Sequence, residues 1–191
     1  MRAFLCSANR HKLAEMRDLL PELELELLEA DYPPEDGATY VDNARIKALF
    51  GRRVGPPGAS MLADDSGIEV AALRGAPGIS TARWAEGRHV ERLLAALDGA
   101  ADRSARYVCE LVCLSPAGDE ARGTGILDGR IAEAPAGGEG FGFDPVFVPA
   151  GESRTVAELG DAWKAQHSHR ALAARALRSA LDRSESGSTT S

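Results

Sequence analysis

Residues 60–67 read SMLADDSG, a short apolar run followed at once by two carboxylates, a hydroxyl and a glycine. The run at 60–63 predicts a buried strand, because a Gly-Pro-Pro-Gly break at 55–58 precedes it. Residues 64–67 have the composition of a turn. We therefore expect two adjacent acidic side chains at a strand end, a place where sites for chemistry are commonly built.

The sequence on both sides of this strand alternates between extended and helical patterns. Further strands are predicted at residues 2–6, 23–28, 107–114, 121–127, 130–132 and 143–148. Helices are predicted after Asn9, after a capping box of Thr39 and Asp42, around residues 90–97, and after Ser168. This order predicts an α/β fold with a mixed sheet flanked by helices, whose strand ends and loops frame a cleft.

The composition is that of a globular protein and argues against several classes of partner. The 191 residues are 44% hydrophobic and carry a net charge of -7, so one domain is expected at residues 1–183. The tail at 184–191 has nothing to bury and is predicted to be disordered. The acidic balance argues against a nucleic-acid-binding surface. The absence of a long apolar run and of a signal peptide predicts a cytoplasmic protein with no membrane contact.

The three cysteines point to a reducing compartment. Cys109 and Cys113 lie in one predicted strand, so their Cα atoms are expected roughly 13 Å apart. A disulfide requires less than about 7 Å. We therefore predict that both are buried strand residues rather than disulfide partners or metal ligands.

Ser7, Asn9 and Lys12 lie where the first predicted strand passes into the first helix. The unpaired N–H groups and the dipole of a helix N-terminus favour phosphate, and a lysine ammonium adds a point charge. Residues 7–12 are therefore a candidate phosphate site, although they form no Walker motif. A helix cap followed by a solvated lysine is the alternative.

Asp65, with its neighbour Asp64 and with Glu35 from the preceding loop, is the candidate centre for chemistry. Magnesium typically takes one or two protein carboxylates together with water and substrate phosphates. One carboxylate can hold the ion while it or a neighbour deprotonates water for attack on phosphorus. A solvated Asp-Asp-Ser-Gly turn is the alternative.

Residues 137–145 read GGEGFGFDP. Pro145 and the Val-Phe-Val that follows exclude the helix that a dinucleotide fingerprint must open. A base pocket fits better, because glycine lets a ligand approach closely, Phe141 or Phe143 offers a stacking face and Asp144 offers an acceptor. A tight turn with two core aromatic residues is the alternative.

Lys164, Ser168, His169 and Arg170 surround the start of the last predicted helix. Cations at this place can meet a purine oxygen or a phosphate. An exposed helix start is the alternative, and His167 is interpreted as a solvated residue.

Five segments, taken in order, resemble those of the inosine triphosphate pyrophosphatase family, also called the non-standard purine NTP pyrophosphatases. They are SANRHKLAE, EDGATYVDNARIKA, ADDSGIEVAALRGAPGISTARWA, GEGFGFDPVFVPAG and TVAELGDAWKAQHSHRAL. The resemblance extends from the N-terminus to the last helix. It departs at Phe143, where the family often has Tyr, so that a hydroxyl contact is lost but stacking is not.

The resemblance implies a two-lobed fold with a long curved mixed sheet and a central nucleotide cleft, a homodimer, and Mg²⁺-dependent hydrolysis of ITP, dITP or XTP between the α and β phosphates. Asp65 matches the family's proton acceptor and magnesium ligand, and Glu35 matches a second acidic residue near the metal. The positions that match nucleotide-contacting residues are Ser7, Ala8, Asn9, Arg10, His11, Lys12, Ser66, Phe141, Gly142, Phe143, Asp144, Lys164, His169 and Arg170.

Selection among purines would depend on the base. Hypoxanthine and xanthine present a carbonyl oxygen where adenine presents an amino group, so a donor such as Arg170 or a backbone N–H would favour them. Two alternatives stay open: the same chemistry on another altered nucleotide, and a module that binds a nucleotide without cleaving it.

Overall fold

The computed structural model describes residues 1–84 and 87–187, without the side chains of His11 and residues 184–187. The strands are β1 Arg2–Leu5, β2 Glu24–Leu27, β3 Ser60–Val70, β4 Ser104–Leu114, β5 Glu120–Ile131 and β6 Phe147–Pro149. The helices are α1 Arg10–Leu19, α2 Tyr40–Val54, α3 Thr81–Trp84, α4 His89–Ala96, α5 Val156–Leu159, α6 Asp161–His167 and α7 His169–Gly187. Within these residues, every helix is too short or too polar to span a membrane.

The six strands form one mixed sheet in the order β2-β1-β3-β4-β5-β6, which confirms the predicted fold class. β1 runs parallel to both β2 and β3, with Leu5 opposite Leu27 on one side and Leu62 on the other. β5 and β6 are antiparallel. The helices between parallel strands are the crossover connections that parallel pairing requires.

The chain divides into two compact units. Unit 1 comprises residues 1–65, 109–125 and the chain from 170 onward, and unit 2 comprises residues 66–108 and 126–169. The unit boundaries fall within β3, β4 and β5 and at the start of α7. Each unit has buried apolar residues of its own, so each contributes its own core.

Unit 1 has two apolar cores whose members alternate along its strands. Leu62 belongs to the core that includes Met16 of α1 and Ala173 of α7. Its strand neighbours Met61 and Ala63 belong to the core formed with α2. Because successive strand residues point to opposite faces of a sheet, α1 and α7 cover one face here and α2 covers the other.

Unit 2 is built around one core, in which strand residues pack with α4 and with the segment before β6. Its largest fully buried members are Ile68, Leu93, Leu97, Ile131 and Phe147. The amphipathic pattern at residues 90–97 is confirmed by α4, which buries Leu93 and precedes the fully buried Leu97.

The predicted start of α2 is also confirmed. The Thr39 hydroxyl accepts a hydrogen bond from the Asp42 N–H, and the Asp42 carboxylate accepts one from the Thr39 N–H. The three cysteines are free thiols and are buried. Cys109 and Cys113 belong to the same core as Leu111, as expected for alternate residues of one strand.

Several boundaries differ from the sequence-based prediction. β3 continues to Val70, so the strand end predicted at 64–67 is wrong, and the alternative of a solvated turn is wrong as well. These residues lie in a strand that is buried on both faces, and pairing overrides their turn propensity. The separate strand predicted at 130–132 is the end of a continuous β5.

The extended segment predicted at 143–148 begins only at Phe147. Before it, the chain turns, with the N–H groups of Val146 and Phe147 both donating to the Phe143 carbonyl. At the C-terminus, α7 continues to Gly187. The domain boundary at residue 183 and the disordered tail after it stay predictions. Residues 188–191 of the predicted tail lie outside the described part of the chain. Helices α3, α5 and α6 were not predicted.

Candidate active site

Asp64 lies at the centre of a buried ion network in unit 1. Its side chain is fully buried, and its Oδ2 lies 2.8 Å from Lys12 Nζ and 4.0 Å from Arg170 Nε. Burial opposes ionisation, but the surrounding cations Lys12, Lys47 and Arg170 outweigh it and lower the pKa of Asp64 to about 2. Asp64 is therefore a fixed negative charge at neutral pH.

A second carboxylate completes this network. Arg170, in the first turn of α7, places Nη1 3.1 Å from Glu15 Oε2 of α1. Arg170 and Lys12 thus reach the Asp64 face of β3 from the two helices that cover it. Arg170 lies between two acids and Lys12 contacts one of them, so both cations are kept at defined places within an acidic protein.

Asp65 points to the opposite face, towards α2. Its Oδ2 accepts a hydrogen bond of 3.0 Å from Asn43 Nδ2, and its Oδ1 lies 3.9 Å from Lys47 Nζ. Burial raises the pKa of Asp65 to about 6, because Lys47 and Asn43 offset the desolvation only in part and the neighbouring carboxylates Glu35 and Asp64 add to it. This carboxyl is thus poised to exchange a proton near neutral pH.

Lys47 joins Asp65 to Glu35. Lys47 Nζ lies 2.5 Å from Glu35 Oε1, and its side chain is buried. Burial disfavours the ammonium, but Asp64, Glu35 and Asp65 outweigh it and raise the pKa of Lys47. The carboxylates of Glu35 and Asp65 therefore converge on one cationic centre.

These oxygens fit a hard divalent cation that uses few protein ligands. Among residues 1–84 and 87–187, no group of three or more His, Cys, Asp or Glu side chains is arranged to hold a metal ion by itself. Two carboxylates suit Mg²⁺, which completes its octahedral shell with water and substrate phosphates. A metal that requires a full protein cage, such as structural zinc, does not fit.

The predicted phosphate loop lies between β1 and α1. Ser7 is buried, and its hydroxyl accepts a hydrogen bond of 3.1 Å from the Asn9 N–H. Ala8 and Arg10 are exposed, and Arg10 pairs with Glu29 at the surface. Lys12 contacts Asp64 rather than being the solvated residue of the alternative reading. The side chain of His11 lies outside the described residues.

Asp144 is the centre of a polar cluster in unit 2. Its Oδ2 accepts from Lys164 Nζ and from the Phe141 N–H, each at 2.9 Å, and its Oδ1 accepts from the Tyr107 hydroxyl at 3.3 Å. Lys164 Nζ also lies 4.6 Å from the centroid of the Phe141 ring. An exposed aromatic face and a buried charge pair thus occur together.

Gly140 is required by this cluster. Its φ of 78° lies in the left-handed region, and a Cβ there would lie 2.2 Å from Asp144 Oδ2. A side chain would therefore displace the carboxylate that holds Lys164. At Gly142, whose φ is 63°, a Cβ would meet open space instead.

The two phenylalanines of this loop differ in exposure. Phe141 is 37% exposed, whereas Phe143 is 3% exposed and packs edge-on against His89 in the core. Of the two rings, Phe141 offers the accessible stacking face. His169 is buried and stacks on Tyr107 with ring centroids 4.6 Å apart, and Ser66 is half-buried within β3.

Sequence reasoning missed the partners of the predicted residues. Asn43, Lys47, Glu15 and Tyr107 all contact a predicted site residue. The four-residue spacing of Asn43 and Lys47 on the predicted helix was the one available signal, because such residues share a face. Glu15 and Tyr107 carried no comparable signal.

Comparison with known proteins identifies the family of this chain. The model of the Ham1 family matches residues 3–180. A protein of Bdellovibrio bacteriovorus named dITP/XTP pyrophosphatase is 39% identical, covering 93% of this chain and 96% of its own. One of the same name from Rhodospirillum centenum is 43% identical, covering 91% of each chain.

Solved structures of similar proteins give the same result. A HAM1 protein from Coxiella burnetii is 35% identical with a TM-score of 0.83, covering 96% of this chain and 99% of its own. The Staphylococcus aureus Ham1 protein is 30% identical with a TM-score of 0.80, covering 99% and 100%. The match extends over both units and over all five motifs, so the chain belongs to the Ham1 family.

Proposed function

We propose that this protein is a magnesium-dependent nucleoside triphosphate pyrophosphatase that hydrolyses ITP, dITP and XTP to the monophosphate and pyrophosphate. Relatives that match nearly the whole chain are named dITP/XTP pyrophosphatases, which supports this substrate class. The observation that carries the proposal is the buried Asp65, whose pKa is raised to about 6 beside a second carboxylate and a lysine.

In this proposal Asp65 and Glu35 would hold Mg²⁺, and Asp65 would also accept the proton of the water that attacks the α-phosphorus as the bond to the pyrophosphate leaving group breaks. A bound Mg²⁺ would neutralise phosphate charge and orient the phosphate chain. Asp65 must be ionised to accept a proton, which it is above its pKa of about 6. Lys47 holds both carboxylates through its ammonium.

The triphosphate would be bound at residues 7–12, where backbone N–H groups precede α1. Lys12 offers its ammonium on the Asp64 face of β3, where Asp64 balances its charge. A helix N-terminus and a partly buried lysine together offset the concentrated charge of a triphosphate. This arrangement supports a local anion site within a protein of net charge -7.

The residues proposed to recognise the base and sugar are Ser66, the 141–144 segment, Lys164, His169 and Arg170. Phe141 supplies an exposed ring, and Lys164 is kept in place by Asp144. A donor such as Arg170 or a backbone N–H would pair with the carbonyl oxygen of hypoxanthine or xanthine but not with the amino group of adenine. Such pairing supports a preference for oxo-purines.

Release of pyrophosphate from ITP, dITP, XTP, GTP, ATP, a methylated purine triphosphate and a pyrimidine triphosphate, measured with Mg²⁺ and with EDTA, tests the proposal. We expect turnover of the first three that EDTA abolishes. Asp65→Asn should remove turnover while nucleotide binding stays detectable. Turnover of only a methylated or pyrimidine triphosphate would favour a different altered substrate, and binding without any pyrophosphate release would favour a non-hydrolytic module.

We also propose a cytoplasmic homodimer with no nucleic-acid partner, in which residues 1–183 form a single two-lobed domain. The family resemblance supports the dimer, and the acidic charge supports the absence of nucleic-acid binding. Light scattering of the purified protein tests the oligomeric state, and a monomer at micromolar concentration would contradict it.

A further inference from the structure

Asn43 lies in the first turn of α2 and has no exposed surface. Both ends of its side-chain amide are bonded. Nδ2 donates to Asp65 Oδ2 at 3.0 Å, and Oδ1 accepts from the Gly37 N–H at 2.9 Å. Asn43 therefore connects the loop before α2 to strand β3.

The orientation of this amide is fixed by its partners. A carboxylate oxygen accepts hydrogen bonds, and a backbone N–H only donates one. Rotating the amide by 180° would place oxygen against oxygen at Asp65 and nitrogen against N–H at Gly37. Both bonds would be lost together, so Asn43 holds both partners or neither.

The two partners belong to the two elements that carry the proposed metal ligands. Gly37 follows Glu35 by two residues, and Asp65 is the second ligand itself. Lys47, one turn further along α2, contacts both carboxylates by charge. A charge contact tolerates changes of direction, whereas the amide bonds define the position of Asp65 and of the loop.

Gly37 leaves room for this connection. A Cβ at position 37 would lie 2.7 Å from Asn43 Oδ1 and 2.7 Å from Asp42 Cβ. Any side chain at this position must therefore displace the loop from Asn43. The loop can be perturbed in this way without changing Asn43 itself.

We propose that Asn43 is a positioning residue, which fixes the carboxylate of Asp65 relative to the loop of Glu35 and so sets the affinity of this pair for a divalent cation. The inference rests on the proposed function, because it needs Glu35 and Asp65 to be the ligands. Residues that orient metal ligands commonly change metal affinity by about 10–100-fold when removed.

The test compares three variants with the wild-type chain. Asn43→Ala removes both amide bonds, Gly37→Ala displaces the loop, and Thr39→Ala serves as the control. Thr39 caps the same helix through its hydroxyl, and its loss weakens α2 without touching either carboxylate. Mn²⁺ binding without nucleotide is followed by electron paramagnetic resonance, the Mg²⁺ dependence of ITP hydrolysis by pyrophosphate release, and folding by thermal unfolding.

Asn43→Ala is expected to weaken Mn²⁺ binding and to raise the half-saturating Mg²⁺ concentration by about 10–100-fold. Its kcat should fall, while KM for ITP at saturating Mg²⁺ stays unchanged. Gly37→Ala should likewise weaken Mn²⁺ binding and raise the half-saturating Mg²⁺ concentration. Thr39→Ala should lower the unfolding temperature and leave both metal measurements unchanged. If Asn43→Ala does not fold, the metal measurements on Gly37→Ala test the inference in its place.

Two outcomes would overturn the inference, and they are distinguishable. In the first, the wild-type protein binds Mn²⁺ and cleaves ITP, but Asn43→Ala and Gly37→Ala bind the metal as tightly as Thr39→Ala does. Asn43 would then be a packing residue only. A wild-type chain that neither binds Mn²⁺ nor releases pyrophosphate from ITP would remove the proposed function and the inference with it.

Discussion

Asp64 and Asp65 are consecutive residues of one strand, but they occupy two different regions of unit 1. The Asp64 region lies against α1 and α7 and contains Lys12, Arg170 and Glu15. The Asp65 region lies against α2 and contains Asn43, Lys47 and Glu35. Both carboxylates are buried, but the pKa of Asp64 is lowered to about 2 and that of Asp65 is raised to about 6.

The difference shows that burial alone does not determine what a carboxylate does. On one face of the sheet, the surrounding cations outweigh desolvation, and the charge becomes permanent. On the other face, desolvation wins, and the group can exchange a proton near neutral pH. One strand thus separates a structural acid from a candidate general base by its alternation of faces.

The largest expected effect that tests this comparison is on the Asp64 side. Asp64→Asn leaves Lys12 and Arg170 without their shared buried partner, so the free energy of unfolding should fall by about 3 kcal/mol at neutral pH. Urea denaturation measures the change. If the free energy of unfolding falls by less than about 1 kcal/mol, the network contributes little to stability. Asp64 would then differ from Asp65 only in its pKa.

Asp65→Asn should instead raise the free energy of unfolding. The folded pKa of about 6 lies above the unfolded value of 3.8, so the stability contribution of Asp65 is full below the unfolded pKa and is lost as the pH rises through 6. Asparagine stays neutral, and we expect the variant to be more stable than the wild type by roughly 1–3 kcal/mol at pH 8.

The pH dependence of this stability difference serves as its control and is measured by urea denaturation in metal-free buffer. The difference between Asp65→Asn and the wild type should shrink as the pH approaches 4, where both side chains are neutral. A variant that is less stable than the wild type at pH 8 would contradict the raised pKa. A gain together with lost turnover would be an example of stability traded for function.

The smallest expected effect is the coupling between Lys12 and Asp64. Lys12→Ala should chiefly weaken triphosphate binding, seen as a higher KM for ITP, and should also destabilise the fold because Asp64 loses a partner. The coupling is measured with the double variant Lys12→Ala/Asp64→Asn. The sum of the stability losses of the two single variants should exceed the loss of the double variant by about 1 kcal/mol. Strict additivity would mean that the 2.8 Å contact contributes no pairwise energy.

The sequence predicted those features whose causes are local. The capping box of Thr39 and Asp42, the helix after Asn9 and the amphipathic α4 depend on residues a few positions apart, and all three were found as expected. The roles of Asp65 and Lys12 were inferred from motifs that stand in a recognisable order, and these roles stay predictions.

The sequence could not reveal features that depend on distant packing. The Asp-Asp-Ser-Gly segment has turn chemistry, but β3 continues through it because both of its faces are covered by other elements. That Phe143 is a core residue while Phe141 is exposed depends on the turn before β6. The opposite pKa shifts of two neighbouring aspartates follow from helices that are far away in the sequence.

The distribution of the thiols has a practical consequence. All three cysteines of the chain are buried in unit 1, and unit 2 has none. Burial raises the pKa of each thiol, for Cys6 to about 12 and for Cys113 to about 11, so the reactive thiolate is scarce while the unit is closed. The rate at which an alkylating reagent labels the native protein therefore reports the opening of one half of the molecule, with no added probe and no background from the other half.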